Sequence, residues 1–264
     1  MQSQDVEVAF ASGGLTLTLN RVAKVNALST AMMRAITEAV QQAQADQASH
    51  IILQSALPRV FCAGADIQEF MQGEEAVARQ GEALLDMMHL LLTVDIPILA
   101  LARGKAAGGG LIMLASADVV IAADDMVWSC PEIEFGMYPT LVHAALAQKL
   151  SPARVAQLSL SGQRITADCA MRDGLITDQV STADFETASA ARLAYYLERS
   201  NALRIGRKSR LLTVDKNALL EHLRRMSHLM HDNFSDPGVH DTIARYAQSL
   251  SKSSASRGAE AAKA

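Results

Sequence analysis

The amino-acid sequence predicts an α/β fold in which a mostly parallel sheet is followed by a helical C-terminal region. Short apolar segments alternate with amphipathic helical segments through the first part of the chain, and two of these segments end in turns of very small residues. Beyond about residue 185 only helical patterns follow. Alternating strands and helices indicate βαβ units, whose ligands usually lie beyond the carboxyl ends of the strands. We therefore expect both turns at that edge of the sheet.

The first predicted elements are a strand, a helix and a second strand. Residues 13–20 read GGLTLTLN, where leucine and threonine alternate with the period of a half-buried strand. Residues 29–46 have helical spacing of apolar residues, and Ser29 or Thr30 is suited to cap the helix. Residues 50–56, HIILQSA, form a short apolar run typical of a buried parallel strand.

Three further segments continue this alternation. Residues 81–94 have helical spacing, and Asp95 and Pro97 end that helix. Residues 97–104, PILALARG, predict another buried strand. Small residues then open a helix near Leu111, and the sequence DVVIA predicts the strand that follows it.

The last part of the chain is predicted to be helical. The segments FETASAARLAYYLERS, DKNALLEHLRRMSHLMHDNF and PGVHDTIARYAQSL contain no strand pattern. An apolar stripe in the second segment can pack either within the chain or against another subunit; it comprises Leu219, Leu220, Leu223, Met226 and Leu229. Residues 251–264 are small and polar, and we expect a disordered tail there.

Composition and charge indicate one main domain and exclude several classes of protein. Of the 264 residues, 50% are hydrophobic and 20% are charged, as in ordinary globular proteins. A net charge of −4 argues against nucleic acid as a partner. Three scattered cysteines fit neither a disulfide framework nor a metal site. With no signal peptide pattern and no apolar run long enough to span a membrane, we expect a soluble cytoplasmic protein.

The two small-residue turns occur in FCAGADIQEF (61–70) and GKAAGGG (104–110). Small residues let the backbone turn tightly, which is one explanation for both. They also let a ligand approach a backbone N–H closely. If one N–H from each turn points to the same position, the pair can stabilise an enolate or another oxyanion.

Glu132, in WSCPEIEFGMYP (128–139), is a candidate general base because it lies in a segment bordered by apolar residues. The alternative is a solvated surface glutamate, since glutamate is rarely buried without a partner. Glu134 fits that alternative better.

Five blocks of the sequence, in order, resemble the crotonase superfamily, also called the enoyl-CoA hydratase/isomerase family. The resemblance covers roughly residues 6–200, and its blocks are LNRVAKVNAL (19–28), FCAGADIQEF (61–70), GKAAGGGLIMLASADVVIA (104–122), CPEIEFG (130–136) and SGQRITADCAMRDGLITDQV (161–180). It implies a ClpP/crotonase-like spiral of repeated ββα units over residues 1–199. It also implies a helical oligomerisation region over residues 200–250, in a homotrimer or a pair of trimers.

The resemblance also implies an acyl-CoA substrate and a set of site residues. The N–H groups of Ala63 and Gly109 match the family's oxyanion hole for the thioester carbonyl, and Glu132 matches a catalytic glutamate. The coenzyme A moiety is expected against four positions, Lys24, Ala65, Asp66 and Ile67, where a lysine suits a phosphate. Coenzyme A comes with the substrate, so we expect no separate cofactor and no metal.

One departure from the family pattern affects the predicted reaction. Family hydratases use two glutamates, and the position of the first is occupied by Ile112, which cannot transfer a proton. Residues 139–141 also replace small flexible residues, so we expect a different acyl pocket. Tyr138 and His143 lie in this stretch and can serve either packing or a polar role.

The resulting expectation is double-bond isomerisation of an acyl-CoA thioester with Glu132 as the single acid–base group, since one carboxylate can move one proton between two carbons. Two alternatives stay open: an enoyl-CoA hydratase with an atypical second group, and an acyl-CoA-binding subunit with weak catalysis. The acyl group itself is not predicted, because several loops shape the pocket together.

Overall fold

Residues 5–245, the part of the chain that the computed structural model describes, contain ten strands in two sheets. The strands are β1 (Val6–Ala11), β2 (Gly14–Leu19), β3 (Ile51–Ser55), β4 (Val60–Cys62), β5 (Ile98–Ala102), β6 (Lys105–Ala107), β7 (Val119–Ala123), β8 (Val127–Ser129), β9 (Ile165–Thr166) and β10 (Asp178–Val180). The larger sheet has the order β1-β2-β3-β5-β7-β10, and the smaller has the order β4-β6-β8-β9.

The α-helices begin after the first hairpin and dominate the end of the chain. Up to residue 234 they are α1 (Thr30–Ala45), α2 (Ile67–Phe70), α3 (Glu74–Thr93), α4 (Gly109–Ser116), α5 (Thr140–Leu146), α6 (Pro152–Ser161), α7 (Ala167–Asp173), α8 (Phe185–Leu197), α9 (Ser200–Leu211) and α10 (Lys216–Phe234). Residues 237–245 are also helical. None of the helices in this part of the chain is long and apolar enough to cross a membrane.

From β3 to β8, consecutive strands alternate between the two sheets. In the pairs β3/β4, β5/β6 and β7/β8, the first strand belongs to the larger sheet and the second to the smaller. Each pair is followed by a helix, so the chain repeats a ββα unit. The strands from β2 to β10 in the larger sheet run parallel to their neighbours. The predicted α/β class with parallel sheets is therefore confirmed.

The first hairpin contains a strand that the sequence analysis did not predict. β1 pairs antiparallel with β2. Ser12 and Gly13 join the strands with φ angles of 51° and 74°, the conformation of a two-residue hairpin turn. Val6 is buried at one end of β1, but Phe10 is exposed at the other, so the alternating pattern of this edge strand is weak.

The predicted helices are present as far as residue 245, the last residue described, with one predicted cap confirmed and one start that differs. Ser29 is the N-cap of α1, because its side chain accepts a hydrogen bond from the Met32 N–H at 3.2 Å. α3 begins at Glu74, seven residues before the predicted start at residue 81. Its first turns bury Ala76, Val77 and Gln80. Because these turns also contain several polar residues, their apolar residues do not show a clear helical spacing in the sequence.

The apolar stripe of α10 packs mainly within the chain. Leu223 is fully buried in the main core, and Leu219, Leu220 and Met226 pack against it. Leu229 is exposed. Intrachain packing therefore accounts for four of the five stripe residues, and the trimer stays a prediction. The boundary between residues 199 and 200 also stays a prediction, and the predicted tail, residues 251–264, lies outside the described residues.

Candidate active site

The two small-residue turns lie side by side because they follow neighbouring strands of the smaller sheet. β4 and β6 run parallel, with Cys62 opposite Ala106. The backbones stay close beyond the strands, since a Cβ on Gly64 would lie 3.3 Å from the Ala107 carbonyl oxygen. Gly64 also has φ +96°, which side chains other than glycine rarely adopt. The structure thus places the CAGAD and AAGGG turns in contact.

Ala63 and Gly109, one from each turn, line the same cavity of about 100 Å³. Within residues 5–245, the turn and cap hydrogen bonds include no acceptor for the N–H of either residue. Gly109 is the first residue of α4, so its N–H belongs to the donors that a helix N-terminus leaves without an intrahelical acceptor. Two such donors in one cavity can stabilise developing negative charge on an oxygen.

Glu132 reaches this cavity from a third neighbouring segment. β8 runs parallel to β6, with Ser129 opposite Ala107, and a 3₁₀ helix over Pro131–Phe135 follows it. The Glu132 side chain extends over the glycine turn, because a Cβ on Gly108 would lie 2.6 Å from Glu132 Oε1. Glu132 Oε2 is buried and has no hydrogen-bond partner among the described residues. Burial raises the pKa of this carboxyl to about 7.

Glu132 is the only charged side chain among the described residues that line the cavity. Ile112 of α4 also lines it and is fully buried. Glu134 is exposed and does not line the cavity. The described wall therefore offers one carboxylate, whose raised pKa allows it both to accept and to release a proton near neutral pH.

Two hydroxyl groups complete the polar part of the wall. The Tyr138 hydroxyl forms a hydrogen bond with His143 Nδ1 at 2.7 Å. The Thr140 hydroxyl donates to the Met226 carbonyl at 2.8 Å. The sequence analysis singled out Tyr138 and His143 without assigning a role, and it included Thr140 only in the stretch 139–141 expected to change the acyl pocket.

Two buried thiols lie directly before segments that line the cavity. Cys62 precedes Ala63 and Cys130 precedes Pro131, and both are buried. Burial raises the pKa of each thiol to about 12, and the charge of Glu132 adds to the shift at Cys130. A protonated thiol is a weak nucleophile, so neither cysteine is suited to covalent catalysis at neutral pH.

The predicted coenzyme A residues fall on two segments that contact each other. Lys24 ends a 3₁₀ helix, and its Nζ donates to Gln68 Oε1 of α2. Ala65 forms a parallel bridge with Leu28. Ala65 and Ile67 both line the cavity. Lys24 is therefore close to the turn that carries the other three predicted residues.

Asp66, the fourth of these residues, uses its carboxylate within the chain. Asp66 Oδ1 accepts from the Gln68 N–H at 2.9 Å and caps α2. Asp66 Oδ2 forms an ion pair with Arg21 Nη1 at 2.6 Å, and Arg21 Nε contacts Asp5 Oδ2 at 3.2 Å. The Asp66 side chain thus connects the CAGAD turn to the segment LNRVAKVNAL (19–28). The sequence analysis quoted Arg21 in that block but missed this positioning role.

The far wall of the cavity comes from the end of the described chain. Met230 of α10 and Ile243 of the helix over residues 237–245 line it together with Phe70. The rings of Phe70 and Phe234 pack against each other with centroids 5.4 Å apart. The sequence analysis missed this wall, because no local pattern shows which distant apolar side chains cover a site. Within the described residues, no cluster of histidine, cysteine, aspartate or glutamate is arranged to hold a metal ion.

Comparison with known proteins identifies the group of proteins to which this arrangement is similar. A family model described as enoyl-CoA hydratase/isomerase matches residues 10–253. A Mycobacterium leprae protein named probable enoyl-CoA hydratase echA8 is 31% identical over 221 residues, covering 83% of this chain and 85% of that protein. A mouse protein named peroxisomal enoyl-CoA delta isomerase 3 is 27% identical over 238 residues, covering 85% of this chain and 75% of that protein.

A solved structure is similar over the fold. The crystal structure of an enoyl-CoA hydratase from Bacillus halodurans aligns with a TM-score of 0.81 and 21% identity, covering 92% of this chain and all of that chain (100%). At this identity the likeness concerns the fold alone. It confirms the predicted crotonase fold.

Proposed function

The chain belongs to the enoyl-CoA hydratase/isomerase family, and on this premise we propose that it moves the double bond of an enoyl-CoA thioester with Glu132 as the single acid–base group. The observation that carries the proposal is the composition of the cavity wall. Among the described lining residues Glu132 is the only carboxylate, and it shares the cavity with Ala63 and Gly109.

The thioester carbonyl oxygen lies, in this proposal, between the N–H groups of Ala63 and Gly109. Removal of a proton from the α carbon places negative charge on that oxygen, and two backbone donors stabilise it. The N-terminus of α4 adds the positive end of a helix dipole at the same place. Neither donor is a side chain, so the stabilisation depends on the shape of the two turns.

Glu132 moves the proton. The ionised carboxylate takes a proton from the α carbon of a 3-enoyl-CoA, and the electron pair of that C–H bond is delocalised over the dienolate and the thioester oxygen. The carboxylic acid then gives its proton to the γ carbon, and the double bond settles between the α and β carbons. A pKa near 7 suits both halves of this exchange.

Hydration is the second candidate, because the Mycobacterium leprae relative is named a probable enoyl-CoA hydratase. Addition of water usually needs one group to activate the water and another to deliver a proton. Ile112 supplies no such group, and its side chain is fully buried in the cavity wall. Isomerisation therefore fits the described residues better than hydration.

The remaining assignments concern binding and assembly. We place the nucleotide end of coenzyme A against Lys24, Ala65 and Ile67, with Asp66 positioning the turn through Arg21. No cofactor beyond the coenzyme A of the substrate is needed for the proposed proton transfer. A homotrimer or pair of trimers in the cytoplasm completes the proposal.

Assays of the purified protein with panels of 2-enoyl-CoA and 3-enoyl-CoA test this function. We expect conversion of 3-enoyl-CoA to 2-enoyl-CoA. General acid–base catalysis contributes about 10²–10⁴-fold, so Glu132→Gln should lower kcat at least about a hundredfold with thioester binding retained. Glu134→Gln, in the exposed neighbour, is the matched control and should lose little. Thioester binding without turnover would instead support the non-catalytic subunit, and normal turnover by Glu132→Gln would contradict the mechanism.

A further inference from the structure

Tyr138 and His143 form a hydrogen-bonded pair in the wall of the site that the proposed mechanism does not use. Their contact joins the phenol oxygen to His143 Nδ1 at 2.7 Å, and the two rings lie with centroids 5.7 Å apart. Five positions separate them, across the beginning of α5, so the first turn of that helix brings the imidazole back toward the phenol. A phenol hydrogen-bonded to an imidazole is a pair that can pass a proton.

The Tyr138 backbone is fixed on both sides. Its N–H donates to Asn233 Oδ1 of α10 at 2.8 Å. Its carbonyl accepts from the Thr140 N–H, also at 2.8 Å. Tyr138 therefore lines the cavity from an anchored segment, which is what a residue that meets a substrate requires.

The pair connects the cavity with the outside of the protein. Tyr138 lines the cavity that Glu132 lines, whereas His143 is not among the described lining residues and is only partly buried. His222 of α10 is exposed and acts on His143 through its charge. Burial and that charge both lower the pKa of His143, so its imidazole is largely neutral at neutral pH and has one nitrogen able to accept a proton.

We propose that Tyr138 is a second catalytic residue of this site and that it delivers a solvent-derived proton to the acyl group through His143. The inference rests on the proposed function, because it requires an enoyl-CoA thioester in the cavity beside Glu132. It keeps Glu132 as the base at the α carbon and replaces the return of the proton by Glu132 with delivery to the γ carbon by Tyr138.

The proton transfers balance as follows. Glu132 takes a proton from the α carbon and later releases it to solvent. The Tyr138 O–H bond breaks as its proton forms the new C–H bond at the γ carbon. His143 Nδ1 gives its proton to the phenol oxygen, and His143 Nε2 takes one from solvent, so the imidazole changes tautomer and stays neutral. The substrate loses one proton and gains one, and nothing is oxidised or reduced.

Isomerisation in D₂O tests the inference, because the two routes leave different labels. A proton that Glu132 returns directly, before exchange with solvent, comes from the substrate, whereas a proton delivered through Tyr138 and His143 comes from solvent. We expect roughly half or more of the early wild-type product to carry deuterium at the γ carbon, measured by NMR and mass spectrometry. Tyr138→Phe keeps the ring but removes the hydroxyl. We expect this variant to lower both the deuterium content of the product and kcat about fivefold to tenfold. KM should change less than about threefold.

Two further variants make the test independent of one substitution. His143→Asn keeps a hydrogen-bonding side chain beside Tyr138 but has no titratable nitrogen, so we expect the same loss of deuterium. This variant tests the inference even if Tyr138→Phe does not fold. Tyr195→Phe removes the hydroxyl of an exposed tyrosine on α8 and should change neither value.

The outcomes separate this inference from the proposed function. A folded Tyr138→Phe or His143→Asn protein with wild-type deuterium content and kcat overturns the route through Tyr138. If turnover needs Glu132 but not Tyr138, only this inference fails. If the wild-type protein turns over neither class of enoyl-CoA, both fail.

Discussion

Glu132 Oε1 lies directly over Gly108, so close that a Cβ at this glycine would be 2.6 Å from the oxygen. The contact joins the carboxylate to the turn that presents the Gly109 N–H. The absence of a side chain at Gly108 therefore leaves room for the carboxylate beside this turn. If Glu132 transfers a proton to the substrate as proposed, a small displacement of its carboxylate should slow the reaction, because proton transfer depends on hydrogen-bond geometry.

Gly108→Ala should therefore reduce catalysis. The new methyl group would displace the Glu132 carboxylate, and φ +47° at this position strains any residue other than glycine. We expect kcat to fall at least about tenfold in enoyl-CoA assays, in line with the cost of a misplaced catalytic group. Gly206→Ala in α9 is the control, since no atom lies within 4 Å of its added methyl group. Equal kcat values for the two variants would contradict the positional argument.

The ionisation of Glu132 should be visible in the pH dependence of kcat/KM. Only the ionised carboxylate can take a proton from the α carbon, and burial raises the pKa of this group to about 7. We expect kcat/KM for a 3-enoyl-CoA to rise as the pH increases through about 7 and then to level off. Glu134→Gln should leave this profile unchanged. A profile that is flat between pH 5 and 8, about the range that spans this pKa, would exclude Glu132 as the base.

The same buried carboxyl should make folding stability depend on pH. Its pKa rises from 4.5 to about 7 on folding, so its contribution to stability is fully present below pH 4.5 and is lost as the pH rises through about 7. Since one pKa unit corresponds to about 1.4 kcal/mol, the loss amounts to about 3 kcal/mol.

Glu132→Gln has no such titration. In urea unfolding, the wild type should therefore lose stability relative to Glu132→Gln as the pH increases from about 5 to 8. The free energy of unfolding of the variant minus that of the wild type should rise over this range. A difference between the two proteins that stays constant with pH would show that the carboxyl is not buried in this way.

Ile112→Glu should introduce or increase hydration of a 2-enoyl-CoA. Ile112 lines the cavity with Glu132, so a carboxylate there restores a second proton-transfer group. The position is fully buried, and burial of a polar group costs stability. Ile112→Gln bears much of the same cost without an acid–base function and is the matched control. A folded Ile112→Glu protein with no more hydration than Ile112→Gln would contradict the role assigned to this position.

Asp66→Asn should lower stability more than it weakens thioester binding. It removes one of the two carboxylates that pair with the partly buried Arg21 guanidinium, which keeps Asp5, and losing a hydrogen bond to a charged group costs about 1.5–3 kcal/mol. Glu75→Gln removes an ion pair with Arg79 that is largely exposed, for which about 0–1 kcal/mol is expected. Thermal unfolding and KM measured together distinguish the roles. A raised KM with unchanged stability would indicate that Asp66 contacts coenzyme A directly.

The parts of the fold that could be predicted from the sequence are those with a local pattern. Leu15, Leu17 and Leu19 alternate along a strand of six residues, long enough to show its period. β4, β6 and β8 have three residues each, which is too short for any periodicity to appear, and all three were missed. Yet these strands carry the two turns and Glu132. The sequence therefore indicated the functional segments more clearly than the sheet that aligns them.

The candidate site divides in the same way. Ala63, Gly109 and Glu132 could be proposed because small-residue turns and a glutamate after proline are visible in sequence. The pKa of Glu132 could not, because it depends on how completely the surrounding chain excludes water from one oxygen. The covering wall depends on Met230 and Ile243, whose positions follow from the packing of distant helices.

The proposed oxyanion donors, the N–H groups of Ala63 and Gly109, belong to the backbone, whereas much of the remaining cavity is formed by residues 137–142. Every residue except proline has a backbone N–H, so a substitution cannot delete such a donor unless it introduces proline or reshapes the turn. Side chains at residues 137–142 can therefore be substituted without removing the N–H groups of Ala63 and Gly109. In the proposed mechanism, the residues that shape the acyl pocket and those that stabilise the thioester oxygen thus lie in different segments of the chain, so we expect substitutions at 137–142 to change which acyl group is accepted while the same backbone donors remain.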